Sequence, residues 1–479
     1  QADRAVDRRK EIRLGFSTMS TARRISNRSA LLLALALFAW LPHAGCGRGA
    51  KPGSKPELAI RATGSLEGTL EPCGCKDGLG GLARRIGLHD QWRVANPEVP
   101  LLSLDTGRAF PMKTSETDVI VPATRRALDL LGVEVVNVGD EDLEAGLSPY
   151  LAMVREGKFR TISANLVSID GNRPIFSPYQ VLTATVGGAP AGPRVAVIGI
   201  SSPARYAVLD GVNGDKVHWI DFEEALTEFV PKARAEADLV VVLANFGPGA
   251  GRLVANRFPD VDLILATAKG DDVAGHYDYP SADLVMMGTR GKYDVLLELR
   301  RDRKTQDWSV TPVITPLNEK VPESDEGIRF VARVKSDLEE TALRRSRLMK
   351  KDPSRPDYLG SEACAGCHAA EMATWKKTRH AHAWEPMVES RNVNNPLCLH
   401  CHSVGFMKPN GYVLASDVRA LQGVGCESCH GPGSEHVQNP GAHPLDKAGP
   451  ATCQSCHTPG QTPDFDFTSF WPKIRHGGP

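Results

Sequence analysis

Gly423-Val424-Gly425-Cys426-Glu427-Ser428-Cys429-His430-Gly431-Pro432-Gly433-Ser434-Glu435-His436 holds a Cys-x-x-Cys-His motif. The chain repeats it three more times nearby, as Cys364-Ala365-Gly366-Cys367-His368, Cys398-Leu399-His400-Cys401-His402 and Cys453-Gln454-Ser455-Cys456-His457. The motif is the attachment signature of c-type haem. Two thiols at that spacing reach the two vinyl groups of one porphyrin, and the histidine that follows turns under the ring to ligate iron. Zinc sites and thioredoxin-like pairs also use Cys-x-x-Cys, but neither requires a histidine after every second cysteine. Four covalently bound haem c groups are therefore expected on Cys364, Cys367, Cys398, Cys401, Cys426, Cys429, Cys453 and Cys456. His368, His402, His430 and His457 are the expected proximal ligands, and haem iron is the only metal expected.

Of 11 cysteines, Cys46, Cys73 and Cys75 remain outside these motifs. Arg23, Arg24 and Arg28 precede an apolar run from Leu31 to Trp40 that is too short to span a bilayer, and Leu41-Pro42-His43-Ala44-Gly45-Cys46 ends in small residues. This order reads as a signal peptide. The Ala-Gly-Cys ending resembles the lipobox of bacterial lipoproteins, which implies Cys46 as a lipidated mature N-terminus; an ordinary cleaved signal with a spare cysteine is the alternative. Gly47 stands where inner-membrane retention calls for aspartate, so the expected location is extracytoplasmic, in the periplasm or at the cell surface, on an outer-membrane lipid anchor. Haem attachment to this motif outside the cytoplasm agrees. Residues 1–18 fit no part of a signal and read as upstream over-translation, 19–45 as the signal, and 46–57 as a Gly-, Pro- and Lys-containing tether.

Lys plus Arg and Asp plus Glu both number 57, so no basic excess points to nucleic acid. Of 14 histidines, 10 lie at or after His368, which concentrates iron ligands in the last quarter. No later apolar run is long enough to cross a membrane, so attachment rests on lipid. The expected partners are redox proteins that donate and accept electrons.

From residue 58 to about 320, apolar runs alternate with helical stretches. The runs are Leu58 to Ile60, Leu101 to Leu104, Val133 to Val138, Val195 to Ile200, Leu239 to Ala244, Val261 to Leu265, Leu284 to Met287 and Val295 to Leu299. That alternation predicts an α/β domain with strands buried on both faces. Ile328, Val331, Val334, Leu338 and Leu343 recur at helical spacing within 321–356, a connecting helix ending before Pro353.

The α/β segment resembles the metallophosphoesterase domain of secreted 5′-nucleotidases. The resemblance lies in the order of Leu104-Asp105-Thr106-Gly107, Val138-Gly139-Asp140-Glu141, Ser163-Ala164-Asn165, Val241-Val242-Leu243-Ala244-Asn245-Phe246-Gly247 and Val261-Asp262-Leu263-Ile264-Leu265. It implies a four-layer αββα sandwich, with strand ends presenting ligands to two divalent metals that activate water. Most of those ligands are replaced. The family's opening Asp-x-His is not found in Ala62-Thr63-Gly64-Ser65-Leu66-Glu67, Gly107-Arg108 stands for Gly-Asp, and Gly139-Asp140-Glu141-Asp142 lacks the block's Asn and His. Asn245 and Ala266-Thr267-Ala268-Lys269-Gly270 stand where the later histidines belong. A dinuclear site needs about six or seven ligands in register, so phosphoesterase activity is expected to be lost.

After the first strand comes Pro72-Cys73-Gly74-Cys75-Lys76-Asp77-Gly78-Leu79-Gly80-Gly81, leading into a helix from Leu82 that carries Arg84 and Arg85. A helix N-terminus and nearby cations lower thiol pKa. Cys73 and Cys75 read as a redox pair or a soft-metal site, or else as a structural disulfide or two inert thiols.

Residues 357–479 resemble the cytochrome c-554-type multihaem domain. The resemblance rests on Tyr358-Leu359-Gly360-Ser361, Trp375 with Thr378-Arg379-His380-Ala381-His382-Ala383, the haem motifs, and the stretch from Gly423 to His436. It implies a small, mainly α-helical domain cored by porphyrin, in which closely stacked haems exchange electrons. His380 and His436 match positions that serve as distal ligands, and His476 lies in a similar late block. His382 and His443 are further candidates, and His400 lines a haem loop. With distal partners matched for fewer than all the irons, one is left for a small ligand. The chain thus reads as an extracytoplasmic electron-transfer lipoprotein whose degenerate α/β domain binds or docks. The alternatives are a haem enzyme acting on a small nitrogen or oxygen species, and a metal-dependent phosphoesterase.

Overall fold

Leu239 to Asn245 form a strand with every residue buried, because both of its faces are covered. Val240, Val242 and Ala244 pack toward helices, while Leu239, Val241 and Leu243 face a second β layer. The computed structural model describes residues 55–72, 78–110, 116–187, 189–202, 208–210, 216–267, 273–302, 304–414, 418–458, 461–462 and 464–476. The signal, Cys46, most of the tether, and Cys73 with Cys75 lie outside the described residues.

The strands are β1 (Leu58–Thr63), β2 (Leu101–Asp105), β3 (Val135–Asn137), β4 (Arg160–Ile162), β5 (Leu166–Ser168), β6 (Tyr179–Val186), β7 (Ala189–Ser201), β8 (Val208–Asp210), β9 (Lys216–Trp219), β10 (Leu239–Asn245), β11 (Leu263–Thr267), β12 (Gly275–Asp278), β13 (Asp283–Met286), β14 (Tyr293–Arg301) and β15 (Trp308–Pro316). The helices of this part are α1 (Leu82–Ala95), α2 (Thr117–Leu130), α3 (Leu147–Val154), α4 (Phe222–Glu236), α5 (Pro248–Arg257) and α6 (Asp325–Leu348).

Twelve strands join one sheet in the order β12-β13-β11-β10-β7-β6-β2-β1-β14-β15, with β3 and β4 extending from β2. The sheet doubles back on itself, so Leu58, Ile60, Leu104, Val197, Val241, Leu265 and Leu297 meet in one core between its halves. Helices α1, α2, α3 and α6 cover one outer face and α4 with α5 the other. This is the four-layer αββα sandwich, with its two β layers hydrogen-bonded through the β6–β2 contact at Leu101 and Thr185.

Period-2 alternation in β1 sends Leu58, Ile60 and Ala62 inward and Arg61 toward α1. There Arg61 Nη1 donates to Asp294 Oδ2 (3.1 Å), Arg85 Nη1 to Asp294 Oδ1 (3.5 Å), and His89 Nε2 lies 3.1 Å from Oδ1. The guanidinium of Arg61 also lies 5.7 Å from the ring centre of Trp92.

Helix α6 is part of the core rather than a free spacer, since Val334 and Leu338 are buried beside α1 and α2. Its far end meets the C-terminal segment: Ser346 Oγ accepts from Leu414 N (3.2 Å) and donates to Met407 Sδ (3.6 Å). That segment consists of short helices α7 (Ala369–Trp375), α8 (Glu385–Glu389), α9 (Pro396–His402), α10 (Cys426–His430), α11 (Ser434–Gln438), α12 (Pro450–Gln454) and α13 (Phe467–Phe470). Its apolar cluster is small, formed by Met387, Leu399, Val404, Phe406, Tyr412 and Leu421.

Candidate haem centres and the strand-end site

Each Cys-x-x-Cys-His motif folds as a helical turn. The second and third lie in α9 and α10; in the first and fourth, His368 N and His457 N donate to Cys364 O (3.0 Å) and Cys453 O (2.8 Å). Residues i, i+3 and i+4 of such a turn share one face, which sets two thiols and an imidazole side by side. Among the described residues no three Cys, His, Asp or Glu side chains converge as ligands of a metal ion. The Cys364 and Cys426 thiols share a hydrogen bond, as do those of Cys401 and Cys456, which places the first motif beside the third and the second beside the fourth.

The histidines pair. His368 faces His436 with ring centres 6.3 Å apart, His457 faces His380 at 6.1 Å, and His430 faces His476 at 6.0 Å. Two imidazoles bound through nitrogen on opposite sides of one metal, each at about 2.0–2.1 Å, have centres about 6 Å apart, so the residues present fit haem iron. A cleft lined by Trp375, His380, Val424, Cys426 and Cys429 opens between His430 and His476.

The outer nitrogens are tied down. Nδ1 donates to a backbone carbonyl in His402 (Ala383, 2.5 Å), His430 (Asp446, 2.8 Å), His436 (His443, 2.9 Å) and His476 (Ile474, 2.9 Å). His457 Nδ1 lies 3.0 Å from Thr462 Oγ1. A ring that donates from Nδ1 offers the Nε2 lone pair to a metal. Burial lowers the pKa of His380 and His457, which favours the neutral, metal-binding form.

His382 and His443 are exposed and face carboxylates instead, Glu385 at 2.8 Å and Glu435 at 3.4 Å. His443 touches a candidate ligand with its backbone oxygen, the acceptor for His436. His400 is exposed on α9. His402 stands apart: among the described residues no second imidazole faces it.

At the carboxyl ends of the parallel strands, the residues in the metallophosphoesterase positions bond to one another. Asn245 Nδ2 donates to Asp140 Oδ1 (2.9 Å), Thr63 Oγ1 to Asp105 Oδ2 (2.6 Å), and Thr106 meets Thr267. Arg108 Nη2 donates to Glu141 Oε2 (2.5 Å) and lies 3.5 Å from Glu67 Oε1. Ser65, Glu67, Arg108 and Arg290 all take φ between 48° and 58°, a conformation rare outside glycine, so the strand-end turns are strained around this ion pair. Burial pushes Asp105 up to about 6 and Asp142 up to about 7 against the hydrogen bonds each accepts.

The two regions touch at α6 and α9. Glu71 Oε1 pairs with Lys335 Nζ of α6 at 3.0 Å. Burial pushes the Cys398 thiol up to about 11, with nearby Glu71 adding to the rise and Lys335 opposing it. Pro72 bridges Gly80 across the loop that contains Cys73 and Cys75.

Residues 363–431 match the family model of cytochrome c554 and c-prime. Over 91 residues the chain is 36% identical to cytochrome c-554 of Nitrosomonas europaea, covering 16% of this chain and 39% of that protein. The α/β part is 27% identical over 214 residues to the 2′,3′-cyclic-nucleotide 2′-phosphodiesterase/3′-nucleotidase of Salmonella typhimurium, covering 39% of this chain and 33% of that one. The structure of the sulfate thiohydrolase SoxB of Thermus thermophilus superposes with a TM-score of 0.50 at 18% identity over 61% of this chain and 62% of that one, a likeness of fold alone. The chain thus spans about a third to two fifths of the curated relatives it matches. The C-terminal segment is similar to cytochrome c-554, which implies covalently bound haem c, and the preceding domain to 5′-nucleotidase-like metallophosphoesterases.

Sequence reasoning missed Glu427, Ala383 and the Glu67–Arg108–Glu141 ion pairs. A carboxylate inside a haem motif was a visible signal for the first; the other contacts join residues that nothing in the order of the chain connects.

Proposed function

We propose that this protein is an exported multihaem cytochrome that transfers electrons through four haem c groups. Lipid on Cys46 would hold it to the membrane, with redox proteins as its partners. The observation that carries this reading is the recurrence of one ring spacing in three proximal–distal pairs, His368–His436, His457–His380 and His430–His476. Haem, when bound, would supply reversible one-electron chemistry; the paired histidines would hold its iron, and the tied Nδ1 atoms keep each ring in place. The thiol contacts between motifs favour close packing of the groups they carry.

The α/β domain is proposed as a binding or docking module whose phosphoesterase site has been filled. Where the resemblance expects metal, the Arg108 guanidinium supplies an internal cation to Glu67 and Glu141, and Asp140 is engaged by Asn245. A second reading has support at His402, which no imidazole faces among the described residues: a haem there would keep one position open, as reduction of a small nitrogen or oxygen species requires.

The deciding experiment uses the purified full chain. Haem assay is expected to give four groups per chain, and the dithionite-reduced protein to bind one carbon monoxide per chain. No covalent haem would overturn the cytochrome reading, and no carbon monoxide binding would overturn the open position. With added manganese, hydrolysis of a generic phosphate ester above the buffer blank would overturn the loss of phosphoesterase activity.

Cys73 and Cys75, which lie outside the described residues, are proposed as a thiol–disulfide couple, because two thiols one residue apart stand just ahead of a helix that carries Arg84 and Arg85. Reduction of the disulfide would take two protons and two electrons, one from each of two haems. In Cys73→Ser and Cys75→Ser variants the fully reduced protein is expected to yield two fewer electrons per chain in an oxidative titration. An unchanged electron count would remove the couple from the reading.

A further inference from the structure

Glu427 lies inside the third haem motif, and its side chain is 4% exposed. Its carboxylate accepts the backbone N–H of Leu359 at 3.0 Å from both oxygens, of Gly360 at 2.7 Å on Oε2, and of Gly433 at 2.7 Å on Oε1. An ionised carboxylate offers about four acceptor sites, and here backbone N–H groups occupy them.

The three donors belong to segments that lead to different places. Leu359 and Gly360 enter the turn Ser361–Cys364, which begins the first motif and its proximal ligand His368. Gly433 caps α11, which carries His436. Two further contacts lock the same junction: Cys426 N donates to Ser361 Oγ (3.1 Å), and Asp357 N to Ser434 Oγ (2.8 Å). Gly360 has φ +86°, and a Cβ there would come within 2.7 Å of Ala420, so the junction has no room for a side chain at this position.

We propose that Glu427 is a positioning residue that, from within the third motif, sets the separation of His368 and His436, the axial pair of the first. This rests on the cytochrome reading above. Both approaches to that pair, the loop before Cys364 and the start of α11, end on one carboxylate. In no other motif does a carboxylate occupy the positions between the cysteines: Ala365 and Gly366, Leu399 and His400, and Gln454 and Ser455 stand there instead.

Glu427→Gln tests it in the full-length holoprotein. The amide replaces one acceptor oxygen with a donor aimed at a backbone N–H, which turns attraction into conflict at the junction without changing side-chain size. Covalent haem per chain is expected to match the unaltered protein, while carbon monoxide binding rises by one per chain and the low-spin signal of one haem is lost. Amide hydrogen exchange at Leu359, Gly360 and Gly433 is expected to quicken about 5- to 30-fold. Unchanged exchange together with unchanged carbon monoxide binding would overturn the proposal. If the Gln variant does not accumulate, Glu427→Asp keeps the charge but withdraws it by one methylene; faster exchange at the same three amides is expected, and native exchange there would overturn the proposal. Absence of covalent haem from the unaltered protein would sink the cytochrome reading instead, a result distinct from any of these.

Discussion

Asp294→Ala is expected to destabilise the α/β domain by about 3–5 kcal/mol, the usual cost of leaving buried charges without their partner. Against a total of about 5–15 kcal/mol for a typical domain, that is a large share. Asp294 is the one carboxylate bonded to Arg61 and Arg85, both buried, and to His89. Denaturant melts followed by far-UV circular dichroism measure the loss, and a change below about 1 kcal/mol would show that water or backbone oxygens replace the carboxylate. Burial alone would raise the pKa of Asp294, but the hydrogen bond and charge of His89, with Arg61 and Arg85, hold it down at about 2 against an ordinary 3.8. Burial lowers His89 below its ordinary 6.5. Both shifts are downward, so both stabilise at high pH: the contribution is intact above pH 6.5, falls first as the unfolded chain takes up the His89 proton, and falls again below about pH 4 as Asp294 nears its own value. In Asp294→Asn the second decline is expected to vanish.

His380→Ala, His436→Ala and His476→Ala are each expected to convert one low-spin haem per chain to a high-spin, carbon monoxide-binding one. Among the described residues each of these side chains is the imidazole paired with one motif histidine, so its removal leaves that histidine without its partner ring. Carbon monoxide titration of the reduced proteins should therefore count one more site than the unaltered chain. His382→Ala and His443→Ala are the controls and should leave the count unchanged; the alanine at 443 keeps the carbonyl that holds His436. An added site in His382→Ala with none in His380→Ala would reverse the pairing.

The elements read from the sequence are those whose burial leaves a one-dimensional trace. Leu239 to Asn245 is apolar at nearly every position because helices cover one face and the second β layer the other. The histidines that face the motif rings were legible for a different reason, since haem chemistry narrows the search to one residue type in a short segment. Pairing was not legible, because it depends on how the turns at 379–382, 434–438 and 471–476 fold back over three different motifs. Strand β6 was not read, and β7 only in part. Pro190, Gly192 and Pro193 interrupt the apolar pattern in the outer half of β7, where residues are exposed, and the buried half alone was visible. The burial of Arg61, Arg85 and Asp294 leaves no local trace, because Arg61 and Asp294 meet across 233 positions of sequence. The same holds for Glu427, whose three donors come from segments on either side of it.

Strand β1 lies between β2 and β14, and its register with β14 sets Leu58 against Leu299. Among the described residues the earliest strand to be synthesised thus waits for one of the last before its second edge is covered. Loop closure of that length costs little extra free energy, because the entropy grows only with the logarithm of the loop, but it slows folding. Until β14 arrives, Leu58, Ile60 and Ala62 present an open apolar edge of the kind that pairs with other chains. Once residues 293–301 are in place the sandwich can close, and the first haem motif emerges more than 60 residues later. The order of the two regions along the chain therefore lets haem attachment proceed beside a sheet that is already complete.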